Sequence, residues 1–232
     1  MVSPISMVGN ELARLVPFFV TVFIYMIVSL VSSVPFWLKA LSKILPIIYL
    51  CIFVLYNGKK FICSNHSVLK LFVGLILSAV GDVLLLKDDK KIFIVGGAMF
   101  AVAHCFYTWA FGFKTLNVRA ASLIAVVDLL GFTFLSMCLK TSEALLLFCY
   151  CILIGVMSWR ANAEVLFNNQ RLATKMIGGI GAAFFMVSDF ALATNLLCFP
   201  VPYQWVIVMT TYYMAQMFIT LSIVEQNKKK ND

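Results

Sequence analysis

The feature that most limits how this chain can fold is a succession of apolar runs, each close to the ~20 residues a helix needs to cross a bilayer. They fall at about 15–34, 36–56, 68–86, 92–112, 119–139, 142–160, 174–197 and 203–224. Short polar clusters divide them. Asn57-Gly58-Lys59-Lys60 closes the second run, Lys87-Asp88-Asp89-Lys90-Lys91 closes the third, and Asn168-Asn169-Gln170-Arg171 precedes the seventh. Pro200 and Pro202 break the chain before the eighth. The expected fold class is therefore all-α: a polytopic transmembrane helical bundle of about eight spans. It fills one transmembrane domain, 1–232, and ends in a basic tail, 225–232.

Composition agrees with lipid as the solvent. Hydrophobic residues make up 62% of the chain and charged residues 12%, about half the charged share of a soluble domain. The net charge of +8 forms no basic stripe interleaved with aromatics, so nucleic acid is not an expected partner. Arg14 precedes a long apolar run without a well-placed small-residue cleavage motif, which reads as a first retained helix.

With eight spans both termini share a side. That side collects twelve Lys and Arg (Arg14, Lys59, Lys60, Lys70, Lys114, Arg119, Arg160, Arg171, Lys175 and Lys228 to Lys230). The opposite side has six: Lys39, Lys43, Lys87, Lys90, Lys91 and Lys140. The positive-inside bias then puts both termini in the cytosol. On that topology the Asn65-His66-Ser67 sequon is cytosolic and unused. The seven Cys mostly sit inside apolar runs and read as small packing residues. With two His, His66 and His104, there is no zinc-ligand spacing, and no metal or cofactor is expected.

Ionisable groups in spanning helices are costly and usually face a polar interior. Asp82, Asp128 and Asp189 qualify, with His104, Asn195 and Gln216 as polar neighbours. Asp82 lies five residues before Lys87, roughly 8 Å from the expected helix end. Asp189 falls in the corresponding half of a parallel helix, so the two carboxyls are expected at overlapping depth. Small residues surround them: Gly74, Ser78 and Gly81; Gly178, Gly181, Ala182 and Ser188; and Gly97 and Ala101 ahead of His104. Such faces pack helices closely, and here they are also expected to line a polar cavity. Tyr212, Gln216 and Thr220 share one helical face. Lys43 reads first as snorkelling to the interface, and Arg160 beside Trp159 as an interface anchor. A weak repeat relates Asp82 and His104-to-Thr108 to Asp189 and Gln216-to-Thr220, with the four-helix offset of a parallel 4+4 repeat.

Several of these elements together resemble one family. Phe72-Val73-Gly74 through Ser78-Ala79-Val80-Gly81-Asp82, Gly97 with Phe100 and His104 to Tyr107, Gly181-Ala182 through Phe185 and Ser188-Asp189, and Tyr212-Tyr213-x-Ala215-Gln216 are similar to YhhN-like membrane proteins. Lys43-x-x-Pro46 and Arg160 fit the same pattern. The Phe199-Pro200-Val201-Pro202-Tyr203 turn resembles the animal members, which are lysoplasmalogenases. The resemblance implies hydrolysis of the vinyl ether bond of lysoplasmalogens, giving a fatty aldehyde and glycerophosphoethanolamine or glycerophosphocholine. It also implies an endoplasmic reticulum location, with a lysophospholipid substrate and the bilayer as partners. The sequence leaves oligomeric state open.

Enol ether hydrolysis suits paired carboxyls. A carboxylic acid protonates the β-carbon, and a carboxylate stabilises the oxocarbenium ion and takes a proton from the attacking water, as in glycosidases. Asp82 and Asp189 are the expected acid/base pair. His104, Tyr107, Ser188, Tyr212, Tyr213 and Gln216 are expected to orient substrate or water, and Lys43 and Arg160 are candidates for the head-group phosphate. Asp128 lies outside the family pattern. On the residues alone, a proton-coupled transporter of lipid or small solute fits as well; the resemblance ranks the hydrolase first. A lipid-binding scaffold is a third reading, and a zinc hydrolase of the alkaline ceramidase kind lacks the ligands.

Overall fold

A computed structural model describes residues 4–56, 66–139, 141–167 and 173–231. Asn57 to Lys60, Cys63, the sequon's Asn65, Lys140 and Asn168 to Arg171 lie outside the described residues, as do the side chains of Lys228 to Lys230. Among the described residues there are eight helices: α1 (Pro4–Leu30), α2 (Phe36–Tyr56), α3 (His66–Leu84), α4 (Lys90–Phe111), α5 (Val118–Ser136), α6 (Thr141–Asn162), α7 (Ala173–Leu197) and α8 (Gln204–Asn231). Seven are long and apolar enough to cross a membrane, and the apolar part of α1, Arg14–Leu30, is shorter. The chain is a multi-pass integral membrane protein. Exposed Phe23, Trp37, Leu130 and Leu145 illustrate the lipid-facing surface that such a bundle must present.

Two ends differ from expectation. Helix α3 stops at Leu84, where hydrogen bonds of the Leu86 and Lys87 amides to Val83 and Leu84 tighten the chain into a turn. Asp82 is therefore two residues from its helix end, roughly 3 Å at the helical rise, and shallower than the spacing to Lys87 suggests. Helix α8 runs on to Asn231, so the basic tail continues a helix.

The helices form two compact units, Met1–Ala110 with Ile223–Asp232, and Phe111–Ser222. The division falls at the end of α4 and again inside α8, whose last residues belong to the first unit. In the first unit α2 packs on α1 and α3. Close packing of α3 on α4 depends on absent side chains. A Cβ on Gly81 would come within 2.8 Å of Phe100 ring carbons, and one on Gly74 would overlap the Tyr107 ring. The buried face of α4 begins at Gly96 and not at Gly97, whose missing Cβ faces open space. In the second unit α5, α6 and α7 pack on one another. Gly181 lets α7 approach α8 so closely that a Cβ would lie 3.1 Å from the Ala215 carbonyl.

The cysteines are not all packing residues. Cys138 and Cys198 form a disulfide, while Cys51, Cys105, Cys149 and Cys151 are free. Cys138 lies two residues past the end of α5 and Cys198 one past α7, so the bridge ties these two helix ends together across 60 residues of chain. Beside it, the Asn195 side chain accepts a hydrogen bond from the Val201 amide at 3.0 Å, shaping the proline turn.

Two measurements check this packing. Gly74→Ala is expected to lower stability by about 1–3 kcal/mol through overpacking against Tyr107, while Gly97→Ala leaves the melting temperature in detergent unchanged or slightly higher. Cys138→Ser and Cys198→Ser are each expected to cost about 2–4 kcal/mol. The double variant should be no worse than either, because one bond is lost in every case.

Candidate functional site

The first unit holds a polar cluster inside an apolar frame. Pro46 has no amide proton to offer the carbonyl one turn back, which opens the hydrogen-bond ladder of α2 beside Lys43. The Lys43 ammonium sits 3.3 Å from an Asp82 carboxylate oxygen, and the two residues are 7% and 2% exposed. Lys43 thus neutralises a buried acid; it neither snorkels nor stands free for a phosphate. A spanning segment cannot hold an isolated carboxylate cheaply, and a cation within contact distance removes most of that cost. One turn before Asp82, the Ser78 hydroxyl lies 3.1 Å from the Tyr107 hydroxyl. Gly74, Ser78 and Asp82 therefore form one face of α3 at i, i+4 and i+8, with the Tyr107 ring seated over Gly74. His104 lies three residues before Tyr107 on α4 and is fully buried.

The second unit holds another. Tyr150 of α6 donates a hydrogen bond of 2.6 Å to Asp189 of α7. Both line an apolar cavity between α5, α6 and α7, and Asp128 lines it too. The helix ends explain this meeting. Asp128 lies eight residues before the end of α5 and Asp189 eight before the end of α7, about 12 Å in each case, and the disulfide joins those ends. Gly155 completes the arrangement: a Cβ there would come 2.8 Å from an Asp128 carboxylate oxygen, so α6 leaves room for the carboxyl.

Other expected site residues have structural partners. The Ser188 hydroxyl donates to the Val208 carbonyl at 3.0 Å, tying α7 to α8. Tyr212 packs edge-on against Phe185, with ring centres 5.6 Å apart, and Tyr212, Tyr213 and Gln216 are all buried on α8. Arg160 is buried and its guanidinium is engaged by backbone. Gly112, at φ +82°, ends α4 and turns the chain, and the guanidinium donates to the carbonyls of Gly112 at 2.7 Å and Thr115 at 2.5 Å. Bridging two loop carbonyls uses the planar fork that distinguishes Arg from Lys. Trp159 does similar work through its indole, which donates to the Asn117 carbonyl.

Asp82 and Asp189 thus belong to different units, each with its own partner. Tyr150 was not among the expected residues. Between Cys149 and Cys151 in an apolar run, its hydroxyl has no signature in sequence; an aromatic phenol well inside a span, away from the interfacial belt, is the one available hint.

Fold and site define a class: a multi-pass helical membrane protein with acidic side chains held inside its spans by a lysine and a tyrosine. The chain belongs to the YhhN family, which matches residues 38–223. It is 42% identical over 234 residues to lysoplasmalogenase TMEM86A of Homo sapiens, covering 98% of this chain and 95% of that protein. It is 40% identical to lysoplasmalogenase TMEM86A of Bos taurus, covering 100% and 97%, and 33% identical to lysoplasmalogenase TMEM86B of Sus scrofa, covering 92% and 88%. No solved structure matches the chain.

A double-mutant cycle tests the ion pair. Asp82→Leu and Lys43→Met are each expected to destabilise the protein by about 3–5 kcal/mol, because each strands a buried charged partner. The double variant Asp82→Leu with Lys43→Met should recover much of that loss in detergent melting, whatever happens to activity.

Proposed function

We propose that this protein is a lysoplasmalogenase, a hydrolase that cleaves the vinyl ether bond of lysoplasmenylethanolamine or lysoplasmenylcholine. The observation that carries the reading is the Asp189 carboxyl, hydrogen-bonded to Tyr150 on the wall of an apolar cavity. Its extended similarity to curated lysoplasmalogenases supports the same activity.

The chemistry needs one proton delivered to carbon and one water activated. In our assignment Asp189 is the acid: it gives its proton to the β-carbon of the enol ether, whose π electrons form the new C–H bond. The resulting oxocarbenium ion is captured by water, which loses a proton to a carboxylate. The hemiacetal then collapses to aldehyde, and the oxygen on glycerol leaves as a hydroxyl. The proton from water returns to the Asp189 carboxylate that the first step leaves; Asp82, ion-paired with Lys43 in the first unit, is the second acid/base residue that the family resemblance implies. The phenol of Tyr150 holds the Asp189 carboxyl in one orientation, as positioned acids require. His104, Tyr107, Tyr213 and Gln216 are proposed to orient substrate or water, in the roles the family resemblance implies.

We also place the protein in the endoplasmic reticulum with both termini in the cytosol. Two features support that orientation: the twelve-to-six charge asymmetry of the loops, and the Cys138–Cys198 bridge. The bridge lies at the end of the bundle assigned to the oxidising lumen, where disulfides persist.

Aldehyde release from lysoplasmenylethanolamine by purified protein tests the reaction. Asp189→Asn is expected to lower kcat by about 10²–10⁴-fold, the usual worth of a positioned acid. Tyr150→Phe is expected to lower it about tenfold, the worth of one hydrogen bond that strengthens as Asp189 gives up its proton. The saturated ether analogue should yield no aldehyde, because it has no double bond to protonate. Full activity in Asp189→Asn would overturn the assignment.

A further inference from the structure

The cavity of the second unit has about 450 Å³ of space, within the ~300–1,000 Å³ range of small-ligand sites. Its polar lining comes from Asp128, Tyr150, Asp189 and the Cys151 thiol, and the rest is hydrocarbon. On α5 the wall runs from Val127 to Leu135, eight residues or about 12 Å along the helix. Rim residues Val127, Leu130, Val187 and Phe190 are exposed. In a spanning bundle an exposed apolar side chain meets lipid, so the mouth opens sideways into the hydrocarbon layer. A water-soluble substrate has no route to such a mouth, whereas a single-chain lipid already dissolved in the membrane has one.

We propose that this cavity binds the hydrocarbon chain of the lysolipid substrate, with the vinyl ether at the Tyr150–Asp189 pair, and that Gly131 and Ala193 set how much chain it admits. This rests on the lysoplasmalogenase reading above. Gly131 and Ala193 line the cavity from α5 and α7. A Cβ on Gly131 would stand 3.6 Å from the nearest carbon of Phe190, an ordinary contact, so a longer side chain enters open space without striking backbone. Replacing glycine inside a helix also removes a conformational penalty, which makes Gly131 a site where volume can be added without unfolding the chain. Each methylene displaced from an apolar wall loses part of its transfer free energy, and the loss grows with the length of chain excluded.

The test uses full-length purified wild type, Gly131→Ala, Gly131→Leu, Gly131→Phe and Ala193→Leu. Each is assayed with short-chain and long-chain 1-alkenyl lysophosphatidylethanolamines. The ratio of kcat/KM for the long chain to that for the short chain is expected to fall in the order of added volume, reaching about tenfold in Gly131→Phe. The change should lie in KM. Ala193→Leu, on the facing wall, should shift the ratio in the same direction and stands in if Gly131→Phe fails to fold. A ratio that stays at the wild-type value in folded variants, while wild type releases aldehyde from both lipids, would overturn the chain-binding site and leave the hydrolase reading intact. Wild type that releases aldehyde from neither lipid would overturn both.

Discussion

A carboxyl group inside a hydrocarbon layer has to find its partners within the protein, because lipid supplies none. Much of this structure follows from that constraint. Asp82 finds the Lys43 ammonium group, buried on α2 three residues before Pro46. Asp189 finds a phenol on α6. Each partner comes from a different helix, so each acid also fixes which helices must pack together. The glycines are the counterpart of the acids. Gly74, Gly155 and Gly181 remove side chains where a tyrosine ring, a carboxyl and a neighbouring backbone need the space.

The two acids have unlike surroundings: an ion pair for Asp82, and a phenol on an apolar wall for Asp189. A charge-paired carboxylate is poor at giving a proton and good at facing a developing cation. A carboxyl beside an apolar cavity, steadied by a neutral hydroxyl, suits proton delivery to carbon. Glycosidases separate acid and base roles between two carboxyls whose surroundings differ. The disulfide belongs to this account as well. It joins the ends of α5 and α7, and Asp128 and Asp189 each lie eight residues before those ends.

The bundle was legible in the sequence because lipid imposes a coarse rule: twenty apolar residues and then charge. Asp82 and Asp189 were legible for the converse reason, since an acid in such a run is too costly to be incidental. Their partners were harder to see. Lys43 sits near the start of a span, where snorkelling accounts for it equally well, and its place beside Asp82 depends on how α2 packs against α3. Arg160 read as an interface anchor beside Trp159, and its bonds to the loop from Gly112 to Thr115 were not legible because periodicity does not describe that loop's path. Cys138 and Cys198 looked like packing residues because pairing is a matter of which helix ends meet, and spacing along the chain says nothing of that. Asp128 was visible as a buried acid, but its place in the Asp189 cavity required the tertiary fold.

The central claim is that hydrolysis begins with protonation of carbon, and isotopes follow that step directly. Wild-type protein would be given lysoplasmenylethanolamine in deuterated water, and separately in oxygen-18 water, with the aldehyde reduced to alcohol as it forms. The account predicts a single deuterium on the carbon next to the former carbonyl and heavy oxygen on the fatty product, with glycerol keeping its original oxygen. A fatty product without that deuterium, or heavy oxygen appearing in the glycerol fragment, would contradict it.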